Sequence, residues 1–397
     1  MQKLKKMWKE NLYKDSIYLI LNSGLMSFFG FLFWAIAARK FSSYDVGMAT
    51  TIVSLIGLIA LFSYLGLNIS FLRYLPKERN PGKVVFSGLV VSSLLNIILI
   101  AMFLAGMGLF SPELAPLFSS WSSILALFAF SLLWGIFNLL NIALIAKRKS
   151  NIVFIKNTIY SILKLILLFA FVGLSGILLS WYFACFIGII ISLFFIRINL
   201  RFDFSAIKKM FHFSSYNYLS SIFLLLPGFL LPLITTNLLE PTQTAYFYIS
   251  WAIAGLLLMV PASISQIFLA EGSHTKKHWE KKFKKSMFFA AGLVGLGIVI
   301  LLILGRHILT LFDPEYLAGL TLLYILAFAA IPYTFNQIYI ALFNLQKKVG
   351  KVVLVNFVVA LITIIGSVTF ISYGLNAIGL SWVVANFAGM VLIGITK

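Results

Sequence analysis

Long hydrophobic runs, separated by short polar or charged connections, extend along the whole chain. A helix that spans a bilayer takes about 20 mostly apolar residues, and twelve runs have that length. The first run follows a basic stretch but is too long for a signal peptide, so we interpret it as an uncleaved span. The pattern predicts an all-α integral membrane protein with twelve transmembrane helices. The predicted spans are residues 16–38, 47–72, 84–108, 122–146, 152–172, 177–196, 211–236, 245–269, 287–309, 320–345, 352–373 and 376–395.

Positive charge is concentrated in every second connection. The chain has 31 Lys and Arg residues, and 27 of them lie at the two termini or in the connections after the even-numbered spans. The opposite side holds Arg39, Lys40 and Arg306. Lys156, at the cytoplasmic start of span 5, is counted with the connection before it, and Lys164 alone lies deep within a span. Because cytoplasmic connections carry an excess of Lys and Arg, both termini are predicted to be cytoplasmic. The net charge of +20 is then a topology signal in a cell-membrane protein rather than a sign of nucleic-acid binding.

Composition excludes several classes of protein. Hydrophobic residues make up 61% of the chain and charged residues 11%, whereas a soluble domain has about 25% charged residues. A soluble enzyme and a disordered chain are therefore excluded. The single cysteine, Cys185, cannot form a disulfide within the chain. The four histidines lie far apart without the spacing of a metal site, so neither a metal nor a cofactor is predicted.

The two halves of the chain repeat at an offset near 200 residues. Phe137-Asn138 recurs as Phe335-Asn336, and Leu179-Ser180-Trp181 recurs as Leu380-Ser381-Trp382. Six spans in each half insert both halves in the same direction, which predicts a parallel repeat about a pseudo-two-fold axis along the membrane normal. We predict an N-terminal lobe of residues 1–200 and a C-terminal lobe of residues 201–397, which rock around a central cavity to give alternating access.

Span 5 carries a polar stripe. At about 100° per residue, five side chains fall within about 140° of one helical face: Lys156, Asn157, Tyr160, Ser161 and Lys164. Charges in a membrane helix usually face the protein interior, so Lys164 is expected to line the cavity, the alternative being one tolerated charge. Lys156 lies nearer the cytoplasmic end and is expected to extend to the membrane interface.

Other polar residues in the spans or directly at their ends are further candidates for the cavity lining, although helix-to-helix packing explains small polar groups as well. They are Asn22, Arg39, Tyr64, Asn68, Arg73, Asn138 and Asn336. No carboxylate lies in the middle of a predicted span, where an ion-coupled carrier usually places one. The deep charge is positive, which favours an anionic substrate such as a phosphate or pyrophosphate headgroup.

Two basic segments on the cytoplasmic side are amphipathic. Residues 3–15 place Leu4, Trp8 and Leu12 on one face, and residues 276–287 place Trp279, Phe283 and Met287 likewise. Both are interpreted as helices lying on the anionic inner leaflet. The alternative is ordinary anchoring by positive charge.

The connection after the first span resembles that of oligosaccharide flippases, which form the polysaccharide-transporter family of the multidrug/oligosaccharidyl-lipid/polysaccharide superfamily. Residues 37–47 read AARKFSSYDVG, in which Arg39 and Gly47 match the family pattern and Ser42 stands in place of the usual Gly. Asp45-Val46 replaces the acidic-Tyr pair. Leu65-Gly66-Leu67, followed by Arg73-Tyr74-Leu75-Pro76, is similar to the end of the family's second span.

This resemblance implies a V-shaped transporter of two six-helix lobes, like the multidrug exporters called MATE, with no enzymatic activity. It implies movement of a polyprenyl-diphosphate-linked oligosaccharide from the cytoplasmic to the outer leaflet, with membrane lipids and glycan assembly proteins as partners. The phosphates are expected to meet Lys164, with Arg73 and Arg39 as further contacts.

Two alternative functions stay open at this stage. A multidrug exporter of the same superfamily would need ion-binding carboxylates in its lobes. A membrane-embedded glycan polymerase or glycosyltransferase would need acidic catalytic residues or a sizeable outer loop.

Overall fold

The computed structural model describes the backbone of residues 2–274 and 279–396 and the side chains of this part other than those of 2–13, 212–217 and 274. In these ranges every regular element is helical, and 12 helices are long and apolar enough to cross a membrane. The predicted all-α membrane fold is confirmed. The helices are α1 Gln2–Lys40, α2 Ser43–Ser63, α3 Leu67–Tyr74, α4 Pro81–Ala105, α5 Met107–Phe110, α6 Trp121–Ala146, α7 Ser150–Leu167, α8 Gly173–Phe195, α9 Phe204–Leu238, α10 Pro241–His274, α11 Trp279–Thr310, α12 Leu320–Leu345, α13 Val349–Thr369 and α14 Leu375–Thr396.

Local sequence explains where several helices begin. Pro81 and Pro241 are the first residues of α4 and α10, where the missing N–H of proline removes no hydrogen bond. The Ser120 hydroxyl caps α6 by accepting a hydrogen bond from the Ser123 N–H at 3.2 Å. A proline or a capping hydroxyl therefore marks the start of each of these three helices.

The described chain divides into two compact units by its contacts. The first unit comprises the chain up to Ala37 together with Ile56–Tyr218, and the second comprises Ala38–Leu55 together with the chain from Leu219 onward. The contact boundary therefore lies 18 residues beyond the boundary that we placed at residue 200, at Tyr218. The end of α1 and the first half of α2 belong to the second unit.

Close packing holds the segment Ala38–Leu55 in the second unit. A Cβ atom on Gly47 would lie 1.7 Å from the Pro241 carbonyl oxygen, so only glycine fits there. The hydroxyl groups of Thr51 and Thr236 hydrogen-bond to each other, and Thr236 also contacts the Thr244 hydroxyl at 2.8 Å. This buried chain of hydroxyl groups satisfies polar atoms that have no water to bind in a membrane.

The predicted second span, residues 47–72, is wrong in its length. The span ends at Ser63, and a separate short helix begins at Leu67. Between them Leu65 and Gly66 take positive φ angles of 47° and 79°, a left-handed conformation that a helix cannot continue through. Tyr64 and Asn68, which the predicted span 47–72 placed in one continuous helix, are therefore on opposite sides of a turn.

The second amphipathic segment is not a helix on the membrane surface. Residues from Trp279 onward form the first turns of α11, which runs on into a span. Phe283 and Met287 pack against the cluster that includes Tyr339 and Phe343 of α12, so α12 covers these two side chains. Residues 275–278 and the side chains of 2–13 lie outside the described part. The interpretation of residues 3–15 as a helix on the inner leaflet therefore stays a prediction.

The sequence repeat is also a repeat of local structure. Short 3₁₀ helices, Pro112–Phe118 and Pro314–Gly319, precede α6 and α12 at the same place in each half. The turn after each of α6 and α12 then contains a residue with positive φ, 57° at Arg148 and 60° at Lys347. Matching turns at matching positions support a duplicated six-span unit.

The connection before α9 is fixed to the start of α4 within the first unit. Lys83 and Asp203 form an ion pair at 3.1 Å, and the Asp203 N–H donates to the Ser87 hydroxyl at 2.7 Å. Hydrogen bonds from the Ser205 hydroxyl and the Ala206 N–H, together with Lys83, lower the pKa of Asp203 to about 2. Asp203 is therefore ionised at neutral pH and caps α9 as a carboxylate.

Candidate functional site

The polar stripe predicted on span 5 faces the interior of the first unit. Five of its side chains are at most 5% exposed in α7: Lys156, Asn157, Tyr160, Ser161 and Lys164. The opposite face of the helix is apolar and 40–61% exposed at Ile155, Ile159, Ile162 and Ile166. Helix α7 thus has its polar side inward and its apolar side outward, as expected for a helix in lipid.

Aromatic rings surround the Lys164 ammonium group. Its Nζ lies 4.2 Å from the ring centroid of Phe33, 4.4 Å from that of Trp181 and 5.4 Å from that of Tyr160. Three separate helices, α1, α7 and α8, supply these rings. The faces of aromatic rings attract cations, so the cage holds a positive charge without neutralising it.

Lys156 is fully buried, with 0% exposure, and our prediction that it extends to the interface is wrong. Its Nζ sits 3.6 Å from the ring centroid of Phe137 and has no hydrogen-bond partner among the described residues. Phe137 packs in turn on Tyr160, with centroids 4.9 Å apart, and this ring pair covers the lysine. In the described part, neither Lys156 nor Lys164 forms an ion pair.

Two polar contacts join α7 to α1. The Asn157 Nδ2 donates to the Asn22 Oδ1 at 2.8 Å, and the Ser161 hydroxyl donates to the Met26 sulfur at 3.4 Å. The Asn157 Oδ1 is buried without a partner in the described part. The structure therefore brings the predicted residue Asn22 to the polar face of α7 and leaves an acceptor there.

The other predicted residues of the first unit divide into buried and exposed. Tyr64 is 9% exposed and hydrogen-bonds with the Asn138 side chain, whose Nδ2 also donates to the Trp134 carbonyl at 2.8 Å. Asn68 has a buried Oδ1 without a hydrogen-bond partner in the described part. Arg73 is exposed, with its guanidinium 5.9 Å from the ring of Tyr74. The structure does not bring Arg73 to the lysine cage.

Arg39 and Asn336 lie in the second unit. The Arg39 Nε donates to the Leu311 carbonyl at 2.7 Å, and its Nη2 donates to the Thr310 carbonyl at 3.4 Å. Arg39 thus binds the carbonyl groups at the end of α11, where a cation is favourable. The Asn336 Nδ2 donates to the Asn386 carbonyl and side-chain oxygens at 3.0 and 3.2 Å.

The second unit repeats the asparagine contact but not the charge. The Asn356 Nδ2 donates to the Ser220 hydroxyl at 3.0 Å, which matches the contact between Asn157 and Asn22 with a shift of about 200 residues. The same 199-residue step that leads from Asn157 to Asn356 leads from Lys164 to Thr363, which is fully buried and donates its hydroxyl to the Val359 carbonyl. The buried ammonium groups therefore belong to the first unit.

Sequence reasoning missed the aromatic rings that the helices around α7 place over Lys156 and Lys164. Phe33, Phe137 and Trp181 are 0–7% exposed and lie on three different helices. The signal available was the recurrence of Phe137 as Phe335 and of Trp181 as Trp382 in the repeat. Among the described residues no group of three or more His, Cys, Asp or Glu side chains is placed to hold a metal ion.

The fold is shared with several solved transporters. The structure described as lipid II flippase MurJ in an inward closed conformation has a TM-score of 0.76 at 15% identity, over 96% of this chain and 87% of that one. An inward-facing multidrug resistance MATE family transporter of the MOP superfamily has a TM-score of 0.74 at 12% identity, over 95% and 96%. A MOP superfamily transporter from Pyrococcus furiosus has a TM-score of 0.60 at 13% identity, over 98% and 94%.

These likenesses define the class of protein, a multi-pass membrane protein with the fold of MOP superfamily transporters. The family model described as polysaccharide biosynthesis protein matches residues 12–266, and the chain belongs to that family. The resemblance that residues 37–47 suggested is confirmed. No curated protein matches the chain.

Proposed function

We propose that this protein is a flippase for a polyprenyl-diphosphate-linked oligosaccharide, which it moves from the cytoplasmic to the outer leaflet for the assembly of a surface polysaccharide. Membership of the polysaccharide biosynthesis family supports the substrate class. The observation that carries the proposal is the Lys164 ammonium, 5% exposed on a polar helix face and without an ion pair in the described part. Burying a charge without a partner is costly, and a diphosphate would supply the missing anion.

The polar face of α7 and its neighbours would hold the two parts of the headgroup. The Lys164 ammonium would leave the faces of its aromatic cage to donate to a phosphate oxygen, a charge-assisted bond stronger than a cation–π contact. The free Asn157 Oδ1 would accept a hydrogen bond from a sugar hydroxyl. The prenyl chain would stay in the bilayer, so no covalent chemistry is required.

The remaining candidates take different places in this proposal. Arg73 is exposed at the end of α3 and would attract the diphosphate before it reaches Lys164. Tyr64 and Asn138 would line the path of the sugar. Arg39 has two donors committed to carbonyl groups of α11, and we assign no phosphate to it.

The proposed orientation places both termini in the cytoplasm of a cell-membrane protein, as the distribution of Lys and Arg favours. In the proposed cycle the two lobes, residues 1–200 and 201–397, rock against each other and expose the substrate first to one side and then to the other. Glycan assembly proteins would supply the lipid-linked substrate and remove it.

A multidrug exporter is the second candidate, because the fold is shared with a MATE family transporter. A shared fold at 12% identity does not identify the substrate. The buried cations of α7 would repel a cationic drug. An export assay that compares a lipid-linked oligosaccharide with a cationic dye separates the two functions.

The experiment is the flipping of a fluorescent polyprenyl-diphosphate oligosaccharide in proteoliposomes. Lys164→Met keeps the apolar stem inside the cage and removes the charge. Losing a hydrogen bond to a charged group costs about 1.5–3 kcal/mol, so we expect a loss of about 10–100-fold in transport. Lys164→Arg should retain part of the activity.

The matched control is Thr363→Val at the corresponding position of the second unit, which should leave transport within about twofold. Melting temperatures of all variants show that they fold. Unchanged transport by Lys164→Met would remove Lys164 from the site while leaving the flippase function standing. A wild-type protein that exports the dye and ignores the oligosaccharide would overturn the function itself.

A further inference from the structure

A pocket separate from the polar face of α7 lies in the second unit, where α11 begins and α12 ends. Its volume is about 790 Å³. Aromatic side chains form its floor, and three lysines stand around its opening. The residues that carry the argument are Trp279, Phe283, Tyr339, Lys281, Lys284 and Lys348.

The aromatic floor is built from rings with fixed positions. Phe283 meets Tyr339 edge-on with centroids 4.7 Å apart, and it meets Phe268 at 6.0 Å. The Trp279 indole N–H donates to the Gly272 carbonyl at 2.9 Å, which fixes the plane of the indole. Trp and Tyr side chains are typical of the level at which lipid headgroups meet the hydrocarbon.

The opening of the pocket is electropositive. Lys281 and Lys284 of α11 and Lys348, at the start of α13, are exposed. Glu280 is the one acidic side chain in the lining. The neighbouring Lys282 turns elsewhere, to Glu271, with 3.6 Å between its Nζ and a carboxylate oxygen. The lining therefore has a surplus of two positive charges, which favours an anion.

Helix α11 continues from this pocket into a surface of the kind that faces lipid. One turn after Lys284, Phe288 and Phe289 are 83% and 58% exposed, and Leu296 is 58% exposed. A soluble anion would use the lysines alone. A molecule with a phosphate and acyl chains would use both the lysines and this apolar surface, so the two features together indicate an amphiphile.

We infer that the pocket binds the phosphate headgroup of an anionic membrane lipid, with the acyl chains lying along α11 beyond Phe288. Trp279 and Tyr339 would pack against the glycerol portion. The site is independent of Lys164, which lies in the other unit. Placing the lipid in the inner leaflet rests on the proposed orientation, whereas binding itself does not.

Native mass spectrometry of the purified full-length protein in detergent tests the inference. The ligand is phosphatidylglycerol, compared with phosphatidylcholine and with glycerol 3-phosphate, which has the headgroup charge but no chains. One lysine near a lipid surface contributes about fivefold in affinity. We expect the triple variant Lys281→Ala, Lys284→Ala, Lys348→Ala to bind phosphatidylglycerol at least tenfold more weakly than the wild type.

The control is a triple variant with the same change in net charge, made at exposed cations of the first unit: Lys77→Ala, Arg79→Ala and Lys208→Ala. It should bind phosphatidylglycerol within about twofold of the wild type. An equal loss in both triple variants would mean diffuse surface attraction and would overturn the pocket. Equal affinity for glycerol 3-phosphate and phosphatidylglycerol would overturn the inference that the ligand is a lipid, and the pocket would then be a site for a soluble phosphate ester.

Discussion

At the scale of single residues, Gly47 is the position with the least room for a side chain. Its hydrogen atoms face the backbone of Pro241, and a Cβ there would lie 1.7 Å from the carbonyl oxygen and 2.5 Å from the carbonyl carbon. Backbone cannot move aside as a flexible side chain can. We expect Gly47→Ala to destabilise the protein by about 1–3 kcal/mol, the usual cost of overpacking, measured as a lower melting temperature in detergent.

Gly30→Ala is the control for this substitution, because no atom lies within 4 Å of its added Cβ. In a helix interior, alanine is favoured over glycine by about 1 kcal/mol, so Gly30→Ala should leave the melting temperature unchanged or raise it. If Gly47→Ala and Gly30→Ala had the same melting temperature, the packing of α2 against α10 in the second unit would be looser than the structure shows.

The surroundings of a side chain could be predicted from the sequence where they depend on one helix alone. The stripe on α7 needed the helical period only, and all five of its residues are buried as a group. The cage around Lys164 needed the packing of α1 and α8 on α7, which no local pattern contains. Lys156 shows the same limit, because Phe137 of α6 covers an ammonium group that the sequence placed at the interface.

At the scale of elements, α6 and α12 are followed by turns of the same type. The Lys348 N–H bonds the Phe343 carbonyl at 2.8 Å, and the Lys347 N–H bonds the Asn344 carbonyl at 3.1 Å, which is a Schellman motif. The residue in the left-handed position is Lys347, with φ of 60°. A left-handed residue other than glycine costs roughly 1–2 kcal/mol.

Lys347→Gly should therefore stabilise the protein. Glycine adopts this φ freely, but it loses more chain entropy on folding, about 0.5–1 kcal/mol. The expected net gain is about 0.5–1 kcal/mol, visible as a higher melting temperature in detergent. The neighbouring Gln346 has φ of −77°, so Gln346→Gly should lower the melting temperature, and a rise in both variants would contradict the turn geometry.

The helices could be predicted from the sequence where the length of a hydrophobic run decides their bounds. They could not be predicted where backbone conformation or tertiary contacts decide them. Twelve spans follow from apolar runs and bilayer thickness. The break in the second span depends on the left-handed Leu65, and nothing in a leucine predicts that conformation. The segment from Trp279 to Met287 has the pattern of a surface helix, but α12 offers its apolar face a protein partner.

At the scale of the whole molecule, duplication and specialisation go together. Both halves keep the asparagine contact between their first and fifth spans, Asn157 with Asn22 and Asn356 with Ser220. Only the first half has a lysine where the second has Thr363. In the function that we propose, a charge in one half of a duplicated scaffold would separate the binding of an anionic headgroup from the mechanical role of the repeat.

The distribution of cations then makes a prediction about the whole chain, which cysteine labelling in cells can check. The native Cys185 is fully buried, so an impermeant maleimide should not label the wild-type protein. Ser119→Cys and Glu315→Cys, in the connections poor in Lys and Arg, should be labelled in intact cells. Lys77→Cys and Lys285→Cys should be labelled only after the membrane is opened, because cytoplasmic connections retain the positive charge.

Using one pair of positions from each half makes the test specific for a parallel repeat. Six spans per half require residues 77 and 285 to lie on one side and residues 119 and 315 on the other. Removing a single cation from 27 on one side against three on the other should not reverse insertion. Labelling of residue 77 but not of residue 285 in intact cells would mean that one half has an odd number of spans, and the two halves would then be inverted rather than parallel.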